Sequence, residues 1–441
     1  MISVRSVWKK LRPIVVVLLI LFVCIQFVRP GLDNPPVTGD FKAPADVKAV
    51  IQRACYDCHS NETHLAWFDM PAPAYWLVAD HVKKGRKVLN FSNWDSLSKG
   101  QQLGKLYESL NQIEYNVMPL SQYTAFHHGG RVTPEEIALL RQYLLSLTPR
   151  VAPDTAKQRA SVEQYEKWII EAVGSRGPVA DEYNGIGYSD LAGFRNWTAI
   201  STTERYDNGT LRLILGNDVV ERAIREGHTN PWPKGAVFAK VAWDQLPDSA
   251  GEIRTGAFKQ VEFMIRDGQK YSTTGGWGWA RWVGGLGMKP YGKDASFTME
   301  CINCHKPMQP NDQTFTIPLA DTLAVNGLGA SDTLRPMTGK VITTVVHQRE
   351  GSMSTLYGND VAIKDARAGR PYSVGAVVTL VTWEQRDDPH WFGGRIPAAV
   401  HAVEVVRYMD GGPSYQSDKG SELVKEARIS YIAGLKAAVL P

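Results

Sequence analysis

Two five-residue stretches, Cys55-Tyr-Asp-Cys58-His59 and Cys301-Ile-Asn-Cys304-His305, constrain this chain more than anything else in it. Each reads Cys-x-x-Cys-His, the pattern in which two cysteines form thioethers to the vinyl groups of a haem and the histidine meets the iron. A chain that carries it must fold a pocket around a flat apolar disc at each place. Only five cysteines occur in 441 residues, and four of them fall in the two copies. A Cys-x-x-Cys pair also serves as half a zinc site or as a redox dithiol, but a histidine in the fifth place of both copies favours haem. A four-thiolate zinc site stays open only if the two ends of the chain fold together. The reading is a dihaem c-type cytochrome with two covalently bound haems, one on Cys55 and Cys58 with His59 on the iron, the other on Cys301 and Cys304 with His305.

The N-terminus carries Arg5, Lys9, Lys10 and Arg12 and no acid, followed by an apolar run from Ile14 to Cys24 that Ile25, Phe27 and Val28 extend. The run is shorter than the usual ~20 residues of a spanning helix, which leaves a cleaved signal peptide as the rival. Arg29-Pro-Gly-Leu lacks a small-x-small cleavage site, so an uncleaved transmembrane helix over residues 1–30 is expected. The positive-inside rule then places the N-terminus in the cytoplasm and the bulk in the periplasm, a single pass of the inner membrane. Cys24 reads as a small hydrophobe within that run. The net charge of +4 equals the four basic residues of the flank, without which the 45 remaining Lys and Arg match the 45 Asp and Glu. A balanced body excludes nucleic acid as a partner class.

Residues 31–44 form a Pro- and Gly-containing tether, and residues 45–148 an all-α, cytochrome c-like domain. Its last helix is signalled by Thr133 as cap, Pro134 at the first position and Glu136 closing a capping box; Ile137, Leu140, Leu144 and Leu147 share one face. Ahead of it lies Asn116-Val-Met-Pro-Leu120. A lone Met is most simply core packing, yet the Met-Pro pair resembles the sixth-ligand loop of small c-type cytochromes, which makes Met118 the axial ligand expected trans to His59. His81 is the alternative; His64, His127 and His128 read as surface or supporting histidines.

Residues 149–184 form a helical linker with Val162, Tyr165, Trp168, Ile169, Ala172 and Val173 on one side. A repeat follows. Gly216-Asn-Asp-Val219, Arg225-x-Gly227, Gly235-Ala-Val237, Trp243-x-Gln245 and Val261-Glu262 recur as Gly358-Asn-Asp-Val361, Arg367-x-Gly369, Gly375-Ala-Val377, Trp383-x-Gln385 and Val403-Glu404. β-Branched and aromatic residues dominate each copy after one short helix, so the expectation is a multidomain chain ending in two tandem, mainly antiparallel-β domains, residues 185–330 and 331–441. The first holds the Cys301 motif. The second has no cysteine and reads as a haem-free copy packed on the first.

The run Ala54 to Thr63, with His81-x-x-x-Gly85-Arg86, Leu89-Asn-Phe-Ser92 and Met118-Pro119, resembles the bacterial haem-binding domain family over residues 45–148. Asn196-Trp-Thr, Trp232-Pro-Lys-Gly-Ala-Val-Phe-Ala-Lys240, Val261-Glu262, Arg266-Asp267, Gly276-Trp277 and the Cys301 motif resemble the cytochrome P460 family over about residues 185–320. That resemblance implies a c-type haem on an antiparallel β fold, Lys240 as the residue crosslinked to the haem, Glu262 as the acid above the iron, and oxidation of hydroxylamine. In the second copy Leu380 replaces Lys240 while Glu404 keeps the acidic position.

Without the resemblance, Lys240 and Glu262 would be ordinary strand residues facing solvent. With it, the chain is expected to be a membrane-anchored haem oxidoreductase. It would oxidise hydroxylamine or a similar small nitrogen species at the second haem, Glu262 taking the protons, and pass electrons to the first haem and on to an acceptor cytochrome or membrane redox complex. The related cytochrome c′-beta proteins bind nitric oxide or carbon monoxide without turnover, which is the alternative class; an electron-transfer subunit of a respiratory complex is the third. Lys240 and Glu262 separate the first two readings and favour the enzyme.

Overall fold

Thr133 caps the helix Pro134–Leu147 as its capping box predicts: its hydroxyl accepts from the Glu136 amide at 3.3 Å, and the Glu136 carboxylate accepts from the Thr133 amide at 2.9 Å. The computed structural model describes residues 4–148, 152–171, 178–319, 339–417 and 424–441, in two units that divide between Thr148 and Pro149. Ala172, Val173 and the stretch around the expected boundary at residue 330 lie outside the described residues.

The first unit is helical. Its helices are α1 (Val4–Ile25), α2 (Ala45–His59), α3 (Ala74–Val88), α4 (Lys99–Glu114), α5 (Ser121–Phe126) and α6 (Pro134–Leu147). The core is built from the apolar faces of α2, α4 and α6, with Val47, Ile51, Leu110, Leu140 and Leu144 buried, and from Phe41, Phe91 and Trp94 in the flanking segments. Leu140 and Leu144 take the inward positions that helical spacing assigned them, whereas Leu147 at the frayed end is 40% exposed.

The expected membrane anchor is corrected here. No helix among the described residues is long and apolar enough to cross a membrane. The apolar part of α1, Ile14 to Ile25, is 12 residues, which at 1.5 Å per residue covers roughly 18 Å of a hydrocarbon core ~30 Å thick. With the spanning helix goes the basis for the single-pass, inner-membrane and periplasmic placement.

The second unit begins with α7 (Thr155–Glu171), whose Trp168 is buried in the core of the unit. Two short turns of helix, among them α8 (Tyr188–Leu191), lead into β1 (Thr198–Arg205) and β2 (Thr210–Gly216), then α9 (Asp218–Glu226), β3 (Val237–Pro247), β4 (Glu252–Arg266), β5 (Trp277–Val283), β6 (Lys289–Pro290) and α10 (Thr298–His305). The order repeats as β7 (Lys340–His347), β8 (Ser352–Gly358), α11 (Asp360–Arg367), β9 (Val377–Asp387), β10 (Gly394–Met409), β11 (Gly412–Ser417) and α12 (Lys425–Ala433). Asn217 and Asn359 explain the recurring Gly-Asn-Asp-Val. Each caps its helix and also accepts from the first amide of the next strand, Val237 at 3.1 Å and Val377 at 3.1 Å.

The two copies do not fold as domains in tandem, which corrects the expected fold class. β1–β4 and β7–β10 form one closed antiparallel barrel of eight strands among the described residues, with β5 and β6 continuing from β4 and β11 from β10. Two equivalent seams close it: Glu252, Ile253 and Arg254 of β4 pair with His347, Val346 and Val345 of β7, while Glu204 and Arg205 of β1 pair with Arg395 and Gly394 of β10. The physical reason is edge disposal. A four-stranded sheet offers two rows of unpaired amides and carbonyls, and joining two such sheets at both edges removes all four.

Candidate functional site

The alternation of β2 and β3 sorts their side chains onto two faces. Leu211, Leu213, Leu215, Ala239, Val241 and Trp243 enter the main core. Ile214 and Phe238 point the other way, joining Trp277 and Trp279 of β5 in a smaller apolar cluster against which Cys301 and Ile302 of α10 pack. The second motif is therefore mounted on one face of the β2–β5 sheet.

On that face, strand register lines up Ile214, Lys240, Glu262 and Arg281 as direct neighbours across four strands. The Lys240 ammonium forms an ion pair with Glu262 Oε2, Arg281 Nε lies 3.1 Å from Glu262 Oε1, and the Gln260 amide donates to the same oxygen. Burial opposes ionisation of Glu262, but the Arg281 and Lys240 charges overcome it and hold its pKa at about 2. Burial lowers the pKa of Lys240, against the attraction of Glu262. Arg212, on the same face, has its pKa pushed down to about 10 by burial and the neighbouring Arg205. The row is thus one carboxylate among three cations, and its field reaches both Cys301 and His305.

His305 donates from Nδ1 to the Gln313 carbonyl at 2.8 Å. A nitrogen facing a carbonyl must carry the proton, which leaves Nε2 with its lone pair free for a metal. The ring packs on Trp279 with centroids 4.5 Å apart and on Phe315 at 4.9 Å. Burial pushes the pKa down to about 4, so the imidazole is neutral at pH 7. Gln313 follows Asp312 in a loop where both have positive φ, 47° and 62°. Asp312 ties that loop to the first copy by accepting from the Trp232 amide at 2.9 Å and pairing with Arg266 at 3.1 Å.

The equivalent place in the second copy is filled. Leu380 is buried opposite Glu404, as Lys240 stands opposite Glu262. Glu404 is gripped by Arg428 at 2.7 and 2.5 Å and by the Tyr415 hydroxyl at 2.7 Å. Arg428 belongs to α12, which holds the chain position that α10 and its motif hold in the first copy.

In the helical unit, the first motif ends α2. His59 Nδ1 shares its proton between the carbonyls of Gly85 and Leu89, each at 3.1 Å, again leaving Nε2 bare. Burial lowers its pKa. A Cβ on Gly85 would stand 2.6 Å from the Cys58 carbonyl oxygen, so α3 approaches this closely only with glycine there. Arg86 then reaches the Ser60 carbonyl at 2.6 Å and the Thr63 hydroxyl at 2.8 Å. Met118 sits half-buried in the turn between α4 and α5. Three residues into α5, the Tyr123 hydroxyl donates to Asp57 inside the motif at 2.6 Å, which ties the Met118 turn to it. His81 lies on α3 one turn before Gly85, whose carbonyl accepts from His59. His127 pairs with Asp69 at 3.0 Å, and His64 and His128 are exposed.

Both motifs thus present a neutral histidine with Nε2 free beside two thiols, a donor set that fits a covalently held haem. Among the described residues no group of three or more His, Cys, Asp and Glu is gathered as the zinc alternative requires. Reading residue types missed Arg281 and Gln260 on Glu262, and Gln313 on His305. Arg281 was within reach: it continues the alternation of Trp277 and Trp279 onto the face of the motif.

Residues 20–146 match the haem-binding domain family, and residues 191–316 match cytochrome P460. No curated protein matches the chain. The two matched segments coincide with the two motif-bearing parts just described, so the chain is a haem protein that carries a haem-binding domain followed by a cytochrome P460 domain.

Proposed function

We propose that this protein is a haem oxidoreductase that oxidises hydroxylamine or a similar small nitrogen species at a haem held by Cys301, Cys304 and His305. Cys55, Cys58, His59 and Met118 would hold a second covalent haem, which would supply a relay for the electrons toward an acceptor cytochrome or redox complex. The observation that carries the reading is the register row that sets Lys240 beside Glu262 on the sheet face where Cys301 packs.

Bound there, the haem supplies an iron with one position open to a small ligand and a conduit for electrons. The chain supplies the rest. Lys240 would be the residue bonded to the porphyrin edge, a C–N bond that replaces a porphyrin C–H and an amine N–H and takes a two-electron oxidant such as a peroxide from outside the chain; its nitrogen would then no longer be an ammonium. Glu262 loses one of the cations that suppress its basicity and keeps Arg281 and Gln260, which hold its carboxylate in place. It accepts the protons released as N–H and O–H bonds break, a role typically worth ~10²–10⁴ in rate. Trp277, Trp279 and Phe238 exclude water from the same face. For the first haem, the tie of Tyr123 to Asp57, which holds the Met118 turn to the motif, favours Met118 over His81 as the second residue that would hold the iron.

The test is an absorption spectrum of the dithionite-reduced protein together with hydroxylamine turnover in the presence of a chemical oxidant. A crosslinked haem absorbs well to the red of an ordinary ferrous c haem, and hydroxylamine is consumed. A protein that binds nitric oxide tightly but never consumes hydroxylamine is instead a gas-binding protein of the cytochrome c′-beta kind.

A further inference from the structure

The second copy, without cysteines of its own, reaches into the site of the first. The turn between β9 and β10 carries His390 and Trp391. His390 Nδ1 donates to the Phe315 carbonyl at 2.7 Å, and its Nε2 lies 3.3 Å from the Asn311 amide nitrogen. Trp391 packs edge-on against Phe315 with centroids 5.8 Å apart. Phe315 and Asn311 bracket Gln313, whose carbonyl is the acceptor for His305.

We infer that His390 is a positioning residue for the second haem: through Phe315 and Asn311 it fixes the loop whose Gln313 carbonyl orients His305. The loop needs two anchors because consecutive residues of positive φ are not a conformation the chain holds by local preference. From the first copy, Arg266 and the Trp232 amide hold Asp312 and Asn230 holds the Pro310 carbonyl, while His390 is the anchor from the second copy, on the far side of Gln313. A carbonyl held against the Nδ1 proton fixes the imidazole's orientation and raises its basicity toward the iron. The haem-free copy therefore acts on the electronic state of a site that lies in the other copy.

This inference rests on the assignment of a haem to Cys301, Cys304 and His305. The full-length protein carrying His390→Ala, Asn311→Ala or His390→Asn is compared with the wild type by resonance Raman spectroscopy of the ferrous state and by redox titration of the second haem. A six-coordinate first haem is silent in the iron–histidine stretching region, so the band there belongs to the second. His390→Ala loosens the loop, shifts the band to lower wavenumber and raises the reduction potential. Asn311→Ala, which removes one contact from an otherwise intact loop, shifts both in the same direction by less. His390→Asn keeps a donor for the Phe315 carbonyl and restores most of both values. A band and potential unchanged in the two alanine variants overturn the inference and leave the haem assignment standing. A wild-type protein whose intact mass shows no haem on Cys301 and Cys304 overturns both.

Discussion

Thr202 of β1 and Thr344 of β7 meet hydroxyl to hydroxyl at 3.3 Å in the barrel interior. They occupy matching positions of the two copies, so the contact marks where the halves face each other. Each half ends in two strand edges, and the other half covers them except where β5 already pairs with β4 and β11 with β10. A chain ending at residue 319 is accordingly expected to expose the outer rows of β1 and β4 and to aggregate or self-associate through them. Sedimentation of the truncated protein checks this, and a monomer that melts cooperatively would show that the first copy stands alone.

Lys240 and Glu262 are separable by substitution. Lys240→Leu copies Leu380 of the second copy: the haem is retained, the reduced spectrum reverts to that of an ordinary c haem, and turnover is lost. Glu262→Gln keeps the crosslinked spectrum and hydroxylamine binding, while the oxidation rate falls by roughly 10²–10⁴. Spectra and initial rates of the two proteins side by side decide it; equal rates for Glu262→Gln and wild type would remove the carboxylate from the mechanism.

Acid should expose the same carboxylate. While Lys240 is still an ammonium, before any bond to haem, the pKa of Glu262 is depressed from 4.5 to about 2. A depressed carboxylate adds stability that is fully present above its unfolded pKa and is lost as the pH falls toward the folded one. The melting temperature is expected to drop between about pH 4.5 and pH 2, less steeply in Glu262→Gln, which has no proton to take up there. In Lys240→Leu one of the cations that depress the carboxylate is missing, so the drop is smaller and ends at a higher pH. Parallel melting curves for wild type and Glu262→Gln across this range would contradict the assignment.

The first haem is expected to be six-coordinate and low-spin. Met118→Ala should convert part of it to high-spin with His59 still bound, whereas His81→Ala should leave it unchanged. Electronic and magnetic circular dichroism spectra distinguish the two, and the opposite pattern would make His81 the ligand.

Much of this was open to a reader of the chain, and the parts that were not share a cause. The motifs, the Thr133 cap and the apolar face of α6 are local, and local chemistry determines them. The matching Asn217 and Asn359 announced the duplication. Spacing is the same, however, for two domains in tandem and for two halves of one barrel, because pairing of β4 with β7 leaves no mark in the alternation of either strand. For the same reason His390 carried no signal: it reaches Phe315 only once the barrel has closed. The apolar run ending near Cys24 was read as a spanning helix because no cleavage signature follows it, although its length already fell short of the usual ~20 residues, and the length is what decides.

The two seams also set an order of events during synthesis. α10 and its cysteines leave the ribosome while β1 and β4 still lack partners, and β10, the strand that closes on β1, ends about 100 residues later, roughly 5 to 20 s at ordinary elongation rates. For that interval the motif stands on a half-built sheet with His390 not yet made. Closure is therefore the last step in shaping the site, and whatever loads the haem meets either an open half-barrel with an unfastened loop or a sealed one, two substrates of different accessibility drawn from one polypeptide.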